Sequence, residues 1–384
     1  MIASDAAPIL QFGTSRFLQA HVDLFVSDAL VRGEALGKIT VVQTTGNPDS
    51  ARRVAALASG KAYPVKVQGI QDGREVDEVH WSSSVQRAVH AESEWASLRQ
   101  LFTDDIQVVI SNTGDSGYRL DHLDNASLLA PDSPTPRSFP AKLLVLLHGR
   151  WSEKPMAAIS LFPCELVVRN GDVLRDLIVA LAAEWNLDQA FIRYLSKTCL
   201  WANSLVDRIV SEPIQPIGAV AEPYALWAIE RQAGLTLPCS HPAVVLTDDL
   251  EQFEQLKLFL LNLGHSYLAE RWLGEGRAQD ETVHHAMTDP VLRADLEGVW
   301  AQEVLPVFSA LGKSEIAQAY LATVKDRLLN PFLQHRIVDI AQNHEEKKRR
   351  RILPLIKLAA QVCPELVQPR LHEALSSGHS VTLA

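Results

Sequence analysis

Cysteine is scarce and scattered in this sequence. The four cysteines lie far apart, with no CxxC pair and no His/Cys ligand spacing. Their spacing argues against both a zinc ribbon and a disulfide-rich scaffold, and we expect reduced thiols. The four positions are Cys164, Cys199, Cys239 and Cys363.

Long apolar runs are missing as well. No stretch approaches the roughly 18 consecutive apolar residues of a membrane helix, and the first residues lack a basic segment followed by an apolar one. The composition, 47% apolar and 21% charged over 384 residues, leaves enough material for two globular cores. We therefore expect a soluble, cytoplasmic protein with no membrane partner.

Positive charge is in short supply too. The chain has 36 Lys and Arg against 46 Asp and Glu, a net charge of -10, whereas proteins that bind polyanions usually present a basic face. We expect no nucleic-acid partner. One basic cluster occurs in EEKKRRRILP at 345–354; a solvated helix face or a local phosphate contact is the favoured interpretation, and a nucleic-acid patch is the alternative.

Two styles of sequence divide the chain. Before Thr247, short runs rich in Val and Ile alternate with longer helical stretches, which is typical of a mostly parallel sheet covered by helices. From Thr247 onward, helical spacing rich in Leu, Ala and Glu predicts an all-α domain. The predicted domains are therefore 1–246, of the α/β class, and 247–384. The predicted strands are 9–13, 39–45, 63–70, 106–113 and 156–162.

A glycine ends the first predicted strand, in ILQFGTSRFLQAHVDLF. In a nucleotide-binding sheet this is where backbone N–H groups meet a pyrophosphate. The match to GxGxxG is partial, because Gly13 fits the first position while Ser15 and Leu18 occupy the other two. A dinucleotide site and an ordinary strand-to-helix turn are equally open on this motif alone.

The second strand would end near the ribose of a bound dinucleotide. It ends in QTT, with Thr44 in the middle, and no acidic residue follows before Asp49. Asp49 would suit the ribose hydroxyls of NAD, whereas Arg52 or Arg53 would suit the 2′-phosphate of NADP.

A later strand ends in Asn112-Thr113-Gly114, at the edge where open α/β sheets bind ligands. By itself this segment is more simply interpreted as a polar turn.

A buried-looking helix, QLKLFLLNLGHSYLA at 255–269, carries three polar residues, and polar groups buried without partners are costly. At about 100° per residue, Asn262 lies about 140° and His265 about 80° around the helix from Lys257, so the three share one face. An amine, a carboxamide and an imidazole can move a proton to or from an alcohol and hold its oxygen. A core histidine and a lysine that extends to water are the structural alternatives. The opposite side carries Leu256, Leu260 and Leu263.

The spacing Lys257-x4-Asn262-x2-His265 resembles the signature of the mannitol dehydrogenase family, the long-chain polyol dehydrogenases. Other segments resemble family blocks in the same order over nearly the whole chain: FGTSRFLQAH, SNTGDSGY, SFPAKLLVLLHGRW, PCELVVRNG, NSLVDRIV, EPYALWAIE and DRLLNPFLQHRIVDIAQNHEEKKRRRILP. PCEL, NSLVDRI and EPYALWAIE are most similar to the tagaturonate and fructuronate reductase branch.

The resemblance implies a Rossmann-like amino-terminal domain and a helical domain similar to that of 6-phosphogluconate dehydrogenase. It implies a metal-independent, NAD(P)-dependent oxidoreductase that interconverts a secondary alcohol and a ketone on a linear polyol or aldonate. Lys257 would be the general acid/base, Asn262 would hold the developing alkoxide, and His265 would orient the substrate oxygen. NAD is the expected cofactor, with NADP as the alternative.

Further site residues follow from the same resemblance. The expected cofactor contacts are Phe12, Gly13, Thr14, Ser15, Arg16, Phe17, Thr44, Asn112 and Thr113. The expected substrate contacts are Asn203, Asp207, Arg208, Arg327 and His335. An ion pair between Asp207 and Arg208, and helix packing by His335, are the structural alternatives.

Two positions depart from the family pattern. Ser15 replaces the second glycine, and Leu166 follows Cys164-Glu165 where the mannitol 2-dehydrogenase branch has an oxyanion-holding asparagine. These departures motivate the alternative of a catalytically inactive nucleotide- or sugar-acid-binding protein. The cationic side chains of the chain motivate a second alternative, a sugar-alcohol phosphate dehydrogenase. The intact lysine, asparagine and histidine favour the active enzyme.

Overall fold

The computed structural model describes residues 7–44, 48–114 and 117–378. Thr45, the predicted end of the second strand, and residues 115–116 of SNTGDSGY lie outside the described residues. The chain forms two compact units. The first contains the described residues up to 66 together with 78–221 and 225–250, and the second contains 67–77, 222–224 and the residues from 251 onward. The domain boundary at 246–247 stays a prediction.

The described strands are β1 Ile9–Phe12, β2 Ile39–Gln43, β3 Tyr63–Gln71, β4 Arg74–Ser82, β5 Val85–His90, β6 Val108–Ser111, β7 Ile159–Pro163, β8 Cys199–Trp201, β9 Ser204–Asp207, β10 Val210–Pro213, β11 Ala219–Ala221, β12 Leu226–Glu230 and β13 Val244–Thr247.

The described α-helices are α1 Arg16–Ala20, α2 Val22–Arg32, α3 Pro48–Ala58, α4 Trp95–Asp104, α5 Phe139–Glu153, α6 Asn170–Glu184, α7 Gln189–Lys197, α8 Leu250–Leu256, α9 Leu263–Glu275, α10 Val283–Thr288, α11 Pro290–Val299, α12 Leu305–Ala310, α13 Ser314–Leu328, α14 Ile337–Ile340, α15 His344–Arg351, α16 Leu353–Val362 and α17 Pro369–Ser376. A 3₁₀ turn spans Ala126–Leu129, and two π-helical turns span Lys257–Asn262 and Trp300–Val304.

A six-stranded parallel sheet forms the centre of the first unit. Its order is β5-β2-β1-β6-β7-β8, and all neighbouring pairs are parallel. This is the 3-2-1-4-5-6 order of the Rossmann fold. Every residue of β1, β2, β6 and β7 is buried, as expected for parallel strands with helices on both faces.

The run predicted at 63–70 is a strand, but it lies outside the parallel sheet. β3 alternates buried and half-buried residues, the period of a strand with one covered face. It belongs to a second sheet of order β10-β11-β3-β4, and a third sheet has the order β13-β12-β9. A two-residue turn, Asp72-Gly73, joins β3 to β4, and both residues have positive φ, as the tightest hairpins require.

The second unit is helical apart from the hairpin tip at 67–77. Its core is formed by apolar side chains of α8 to α14, of α16 and α17, and of the two π turns. Among the described residues, no helix is long and apolar enough to cross a membrane.

Candidate functional site

The parallel sheet has its switch point between β1 and β6. From β1 the chain continues to β2 on one side, whereas β6 starts the strands on the other side. Ligands of open α/β sheets bind in the crevice at the carboxyl ends of the two strands at such a point. The structure therefore brings together two segments that lie far apart in the sequence, 12–17 and 112–113.

Gly13 allows this close approach. Its φ is +118°, and a Cβ atom would lie 2.6 Å from the carbonyl oxygen of Asn112, so only glycine fits. Ser15 then caps α1, because its Oγ accepts a hydrogen bond from the N–H of Leu18 at 3.3 Å. The same Oγ lies 3.5 Å from Oδ1 of Asn112. The serine at the second glycine position thus serves as an N-cap.

The remaining residues predicted at this turn lie around it. Phe12 and Thr14 are buried, and the Thr14 hydroxyl donates to the carboxamide oxygen of Gln43 at the end of β2. Phe17 is half-buried and Arg16 is exposed. The turn is therefore tied to β2 on one side and to β6 on the other.

A buried glutamate that sequence reasoning missed organises the end of β6. Glu165 accepts hydrogen bonds from the Ser111 hydroxyl at 3.0 Å, from the Thr113 N–H at 3.0 Å and from the Thr113 hydroxyl at 2.9 Å. The Tyr118 hydroxyl also donates to it at 3.3 Å, and burial together with this carboxylate raises the pKa of Tyr118. Glu165 therefore fixes the backbone and side chain of Thr113.

The sequence did carry a signal for this role. Glu165 is an acidic residue two positions after a fully buried strand. Asn112 donates to the carbonyl oxygen of Cys164 at 2.8 Å, so both predicted residues of this turn bind the segment that follows β7. Leu166 itself is 77% exposed.

Thr44 borders a cavity of about 690 Å³ in the first unit. The cavity lies beside the end of β2, where the adenosine half of a dinucleotide is expected. Lys142 lines it and donates to the carbonyl oxygen of Arg137 at 2.7 Å. Burial lowers the pKa of Lys142 to about 8. The other lining residues are Glu92, Leu123, Asp124, Asn125, Ser127, Leu128, Pro134, Thr135, Pro136 and Arg137.

The residues considered for the choice between NAD and NADP lie on α3. Asp49 and Arg52 form an ion pair with each other at the surface, and both side chains are about 70% exposed. Arg53 donates to the Ser50 hydroxyl at 3.3 Å. Contacts of Asp49, Arg52 or Arg53 with a bound ribose stay predictions.

The three polar residues of the second unit lie on one continuous helix, but its geometry differs from the expectation. Lys257 and Asn262 begin and end a π turn, in which the N–H of Leu263 donates to the carbonyl oxygen of Leu258 five residues earlier. The expected angle of about 140° between Lys257 and Asn262 assumed an α-helix. A wider i→i+5 turn places Asn262 more nearly beneath Lys257, so the two side chains share a narrower face.

His265 follows on α9 and is buried, while Lys257 and Asn262 are half-buried. The predicted opposite face is confirmed, because Leu256, Leu260 and Leu263 are buried.

His335 lies next to His265. Their ring centroids are 5.0 Å apart in an edge-to-face arrangement. Burial lowers the pKa of His335, and the nearby Lys347 and Arg351 lower it further. The structure therefore brings one of the predicted substrate contacts to the catalytic candidates.

Arg327 is held by a partner within the same unit. Its guanidinium forms a bidentate ion pair with Glu222, at 3.0 and 2.8 Å, and both side chains are almost fully buried. It also lies 4.5 Å from the ring centroid of Tyr224 and donates to the Tyr320 hydroxyl at 3.3 Å. Its charge is thus matched by the protein, and binding of a substrate carboxylate by Arg327 stays a prediction.

The NSLVDRIV residues lie in the first unit with structural partners. Asn203 donates to Asp172 at 3.1 Å and to Glu230 at 2.7 Å. Arg208 is buried and donates to the carbonyl oxygen of Ala20 at the end of α1, where the helix carries partial negative charge. These contacts account for the burial of both side chains. Asp207, at the end of β9, is buried too. Substrate binding by Asn203, Asp207 and Arg208 stays a prediction.

Within the described residues, no group of three or more His, Cys, Asp or Glu side chains is arranged to hold a metal ion. The first unit offers a strand-to-helix turn with the geometry of a dinucleotide site. The second unit offers an amine, a carboxamide and an imidazole on one helix. Together these are the groups that a hydride-transferring alcohol dehydrogenase requires.

Comparisons with known proteins agree over most of the chain. A family model described as the mannitol dehydrogenase Rossmann domain matches residues 7–237, and one described as the mannitol dehydrogenase C-terminal domain matches residues 249–375. An altronate oxidoreductase of Klebsiella pneumoniae strain 342 is 31% identical over 397 residues, covering 96% of this chain and 78% of that protein. An altronate oxidoreductase of Halalkalibacterium halodurans is 30% identical over 369 residues, covering 90% of this chain and 69% of that protein.

Two solved structures share the fold. A substrate-free D-sorbitol dehydrogenase superposes with a TM-score of 0.79 at 19% identity, covering 96% of this chain and 79% of that one. The mannitol 2-dehydrogenase of Pseudomonas fluorescens, in a ternary complex with NAD and D-mannitol, superposes with a TM-score of 0.72 at 20% identity, covering 97% and 79%.

Proposed function

Because this chain belongs to the mannitol dehydrogenase family, we propose that it is an NAD-dependent oxidoreductase that interconverts a secondary alcohol and a ketone on a linear sugar derivative. The observation that carries the proposal is the helix bearing Lys257, Asn262 and His265, in a chain whose first unit has a Rossmann sheet and the Gly13 turn.

Within this class the proposed substrate is an open-chain sugar acid of the altronate type. Its support is the name of the relatives that are about 30% identical over at least 90% of the chain. His335 is the substrate contact that the geometry favours among the candidates, because it lies against His265. The proposed partner is thus a small molecule, and no nucleic-acid partner is part of the proposal.

The chain's residues fit a dinucleotide at the first unit. Gly13 leaves its backbone free of a Cβ atom at the switch point, Ser15 caps the helix that follows, and Glu165 fixes Thr113. Thr44 and the cavity beside it would receive the adenosine half. NAD, when bound, supplies the acceptor for a hydride from the carbinol carbon.

The second unit would handle the proton and the oxygen. Lys257 would take the hydroxyl proton as general base and return it in the reverse direction. Asn262 would donate a hydrogen bond to the developing alkoxide, and His265 would orient the same oxygen. This division of roles needs no metal ion.

A cytoplasmic location is part of the proposal. It is supported by the four cysteines, all of which are described and none of which forms a disulfide, as is usual in a reducing compartment.

Reduction of NAD or NADP, followed by the absorbance of the reduced nicotinamide, tests the proposal. The panel should contain four- to six-carbon aldonates, polyols and sugar phosphates. We expect NAD reduction with an aldonate, and a fall in kcat of about 10²- to 10⁴-fold in Lys257→Ala, since general acid–base catalysis contributes about that much.

Lys357→Ala is the matched control, because Lys357 is an exposed lysine on α16 of the same unit. Full turnover by Lys257→Ala would exclude the proposed role of this lysine. Binding of NAD without turnover of any substrate would favour the inactive binding protein, and turnover of sugar phosphates alone would favour the phosphate dehydrogenase.

A further inference from the structure

The π turn at Lys257–Asn262 is an unusual place for two catalytic candidates. π turns are rare, because they exchange i→i+4 hydrogen bonds for i→i+5 bonds, and they occur frequently at functional sites. The N–H of Leu263 bonded to the carbonyl oxygen of Leu258 shows the exchange directly. An α-helix would restore the larger angle between Lys257 and Asn262. Something in the tertiary structure must therefore favour the wider turn.

Side chains from outside this helix bind its carbonyl groups at this turn. The indole Nε1 of Trp300 donates to the carbonyl oxygen of Leu260 at 3.1 Å, and the pair is buried. The guanidinium of Arg351 donates to the carbonyl oxygen of Asn262 at 3.4 Å and to the Ser266 hydroxyl at 3.1 Å. Buried carbonyl groups must be paired. The indole and the guanidinium donate to carbonyl groups of the π turn, and a regular helix does not need such outside donors.

The indole of Trp300 also packs against the backbone. A Cβ atom on Gly264 would lie 2.8 Å from the Cζ2 atom of Trp300, so the absence of a side chain at 264 is what admits the ring. Trp300 is fully buried and is itself the first residue of the second π turn, Trp300–Val304. One aromatic side chain therefore links the two irregular turns of the helical core.

We propose that Trp300 and Arg351 are positioning residues that hold the Lys257–Asn262 turn in its π geometry, and so keep the lysine and the asparagine on one narrow face. The inference rests on the proposed function for its catalytic consequence. Each acts through the backbone carbonyl that it binds.

Trp300→Phe in the full-length chain tests the proposal, because it keeps an aromatic ring and removes the N–H donor. We expect kcat to fall about 10- to 100-fold, since small misplacements of catalytic groups have effects of that size. The KM for NAD should not change, because the dinucleotide turn is in the first unit. Hydrogen–deuterium exchange of peptides covering 257–266 should become faster.

Trp272→Phe is the matched control. Trp272 is buried in the same core, and its Nε1 donates to the carbonyl oxygen of Ala278 at 2.8 Å, away from the π turn. We expect this variant to keep wild-type kcat and wild-type exchange at 257–266. Arg351→Met is the second test, since it removes the other donor and introduces no polar group into the core. It should lower kcat and speed hydrogen–deuterium exchange in the same segment.

The outcomes are distinct. Wild-type kcat and exchange at 257–266 in folded Trp300→Phe or Arg351→Met would overturn the proposal, and so would equal losses in Trp272→Phe and Trp300→Phe. If the wild-type protein turns over no substrate, the proposed function fails, but the exchange rates of the three variants still decide whether Trp300 and Arg351 hold the turn.

Discussion

Asp23 is a buried residue in the first turn of α2, in the first unit. It is 1% exposed, and the Tyr63 hydroxyl donates to it at 2.7 Å. Burial raises the pKa of Asp23 from 3.8 to about 7, although hydrogen bonds from Tyr63 and Gln11 oppose the shift. Since the folded state holds this proton more tightly than the unfolded state, the group links folding stability to pH.

Replacing Asp23 with asparagine should remove this dependence. Between the unfolded and folded pKa values of Asp23, the native state binds more protons than the unfolded state. The stabilisation from Asp23 is therefore fully present below about pH 4 and is lost as the pH rises to about 7. Relative to Asp23→Asn, the wild-type free energy of unfolding should fall by about 2–3 kcal/mol between pH 5 and pH 8. Urea denaturation at both pH values measures the difference.

His21 makes the opposite contribution to the pH dependence of stability. Burial lowers the pKa of His21 to about 3, so its contribution increases with pH up to about 6.5, opposite to that of Asp23. It is present in both proteins and cancels in the comparison. If the unfolding free energies of the wild type and of Asp23→Asn change in parallel with pH, Asp23 is ionised in the folded state at every pH measured.

Individual site residues differed in how well the sequence revealed them. Gly13, Lys257, Asn262 and His265 were predicted as site residues because their type and spacing carry chemistry regardless of the neighbours, and their roles stay predictions. Glu165 was missed because its role depends on donors from β6 and the turn after it, which only the parallel sheet brings to it.

At the scale of elements, the π turn shows a limit of periodicity. Apolar spacing predicted a helix over 255–269 and the correct buried face, but spacing cannot distinguish an α turn from a π turn. The extra residue in the turn is accommodated by Trp300 and Arg351, which lie 40 and 89 positions away from the carbonyl groups they bind.

The basic cluster illustrates the same limit. It was interpreted as a solvated helix face or a phosphate contact, but Lys348 of α15 is fully buried and forms ion pairs with Glu270 and Glu345. Arg351 binds the π turn. Arg349 and Arg350 are exposed, as a solvated helix face predicts, whereas the packing of α15 against α9 buries Lys348.

Helix α13 anchors two distant segments to the helical unit. Asn330, just after α13, donates to the carbonyl oxygen of Gln68 at 3.0 Å, and Asp326 accepts from the N–H of Gly73 at 3.3 Å. The ion pair of Arg327 with Glu222 fixes the segment 222–224. These contacts explain why 67–77 and 222–224 belong to the second unit.

Breaking the ion pair between Glu222 and Arg327 from one side should be strongly destabilising. We expect Arg327→Met and Glu222→Gln each to lower the free energy of unfolding by about 3–5 kcal/mol, because each leaves a buried charge without its partner. The double variant should recover most of this loss. Chemical denaturation of the four proteins measures the coupling, and strictly additive losses would show that the pair is not coupled.

For the whole molecule, we expect substitutions in the first unit to change cofactor binding and substitutions in the second unit to change the chemical step. NAD at about 100 times its Kd should stabilise the protein by about 2.7 kcal/mol, seen as a rise in Tm. Gly13→Ala should abolish this rise, because its Cβ atom would collide with Asn112. Lys257→Ala should keep it, because Lys257 belongs to the second unit.

Gly60→Ala is the control for backbone strain, since Gly60 also has positive φ but a Cβ atom there would meet nothing within 4 Å. It should lower the Tm without NAD and retain the rise with NAD. If both glycine variants lose the NAD-dependent rise in Tm, backbone strain alone explains the effect of Gly13→Ala, and the position of Gly13 at the switch point does not.

By itself, the sequence determined the class of both units and the chemical groups of the site. Hydrophobic periodicity and residue type are local properties, so they identified buried strands, the amphipathic helix and the Lys-Asn-His spacing. The tertiary structure decided the strand order, the place of β3 in a separate sheet, the carboxylate that holds Thr113, and the π turn beneath Lys257. Each of these depends on partners distant in sequence, whose hydrogen bonds and packing no local pattern records.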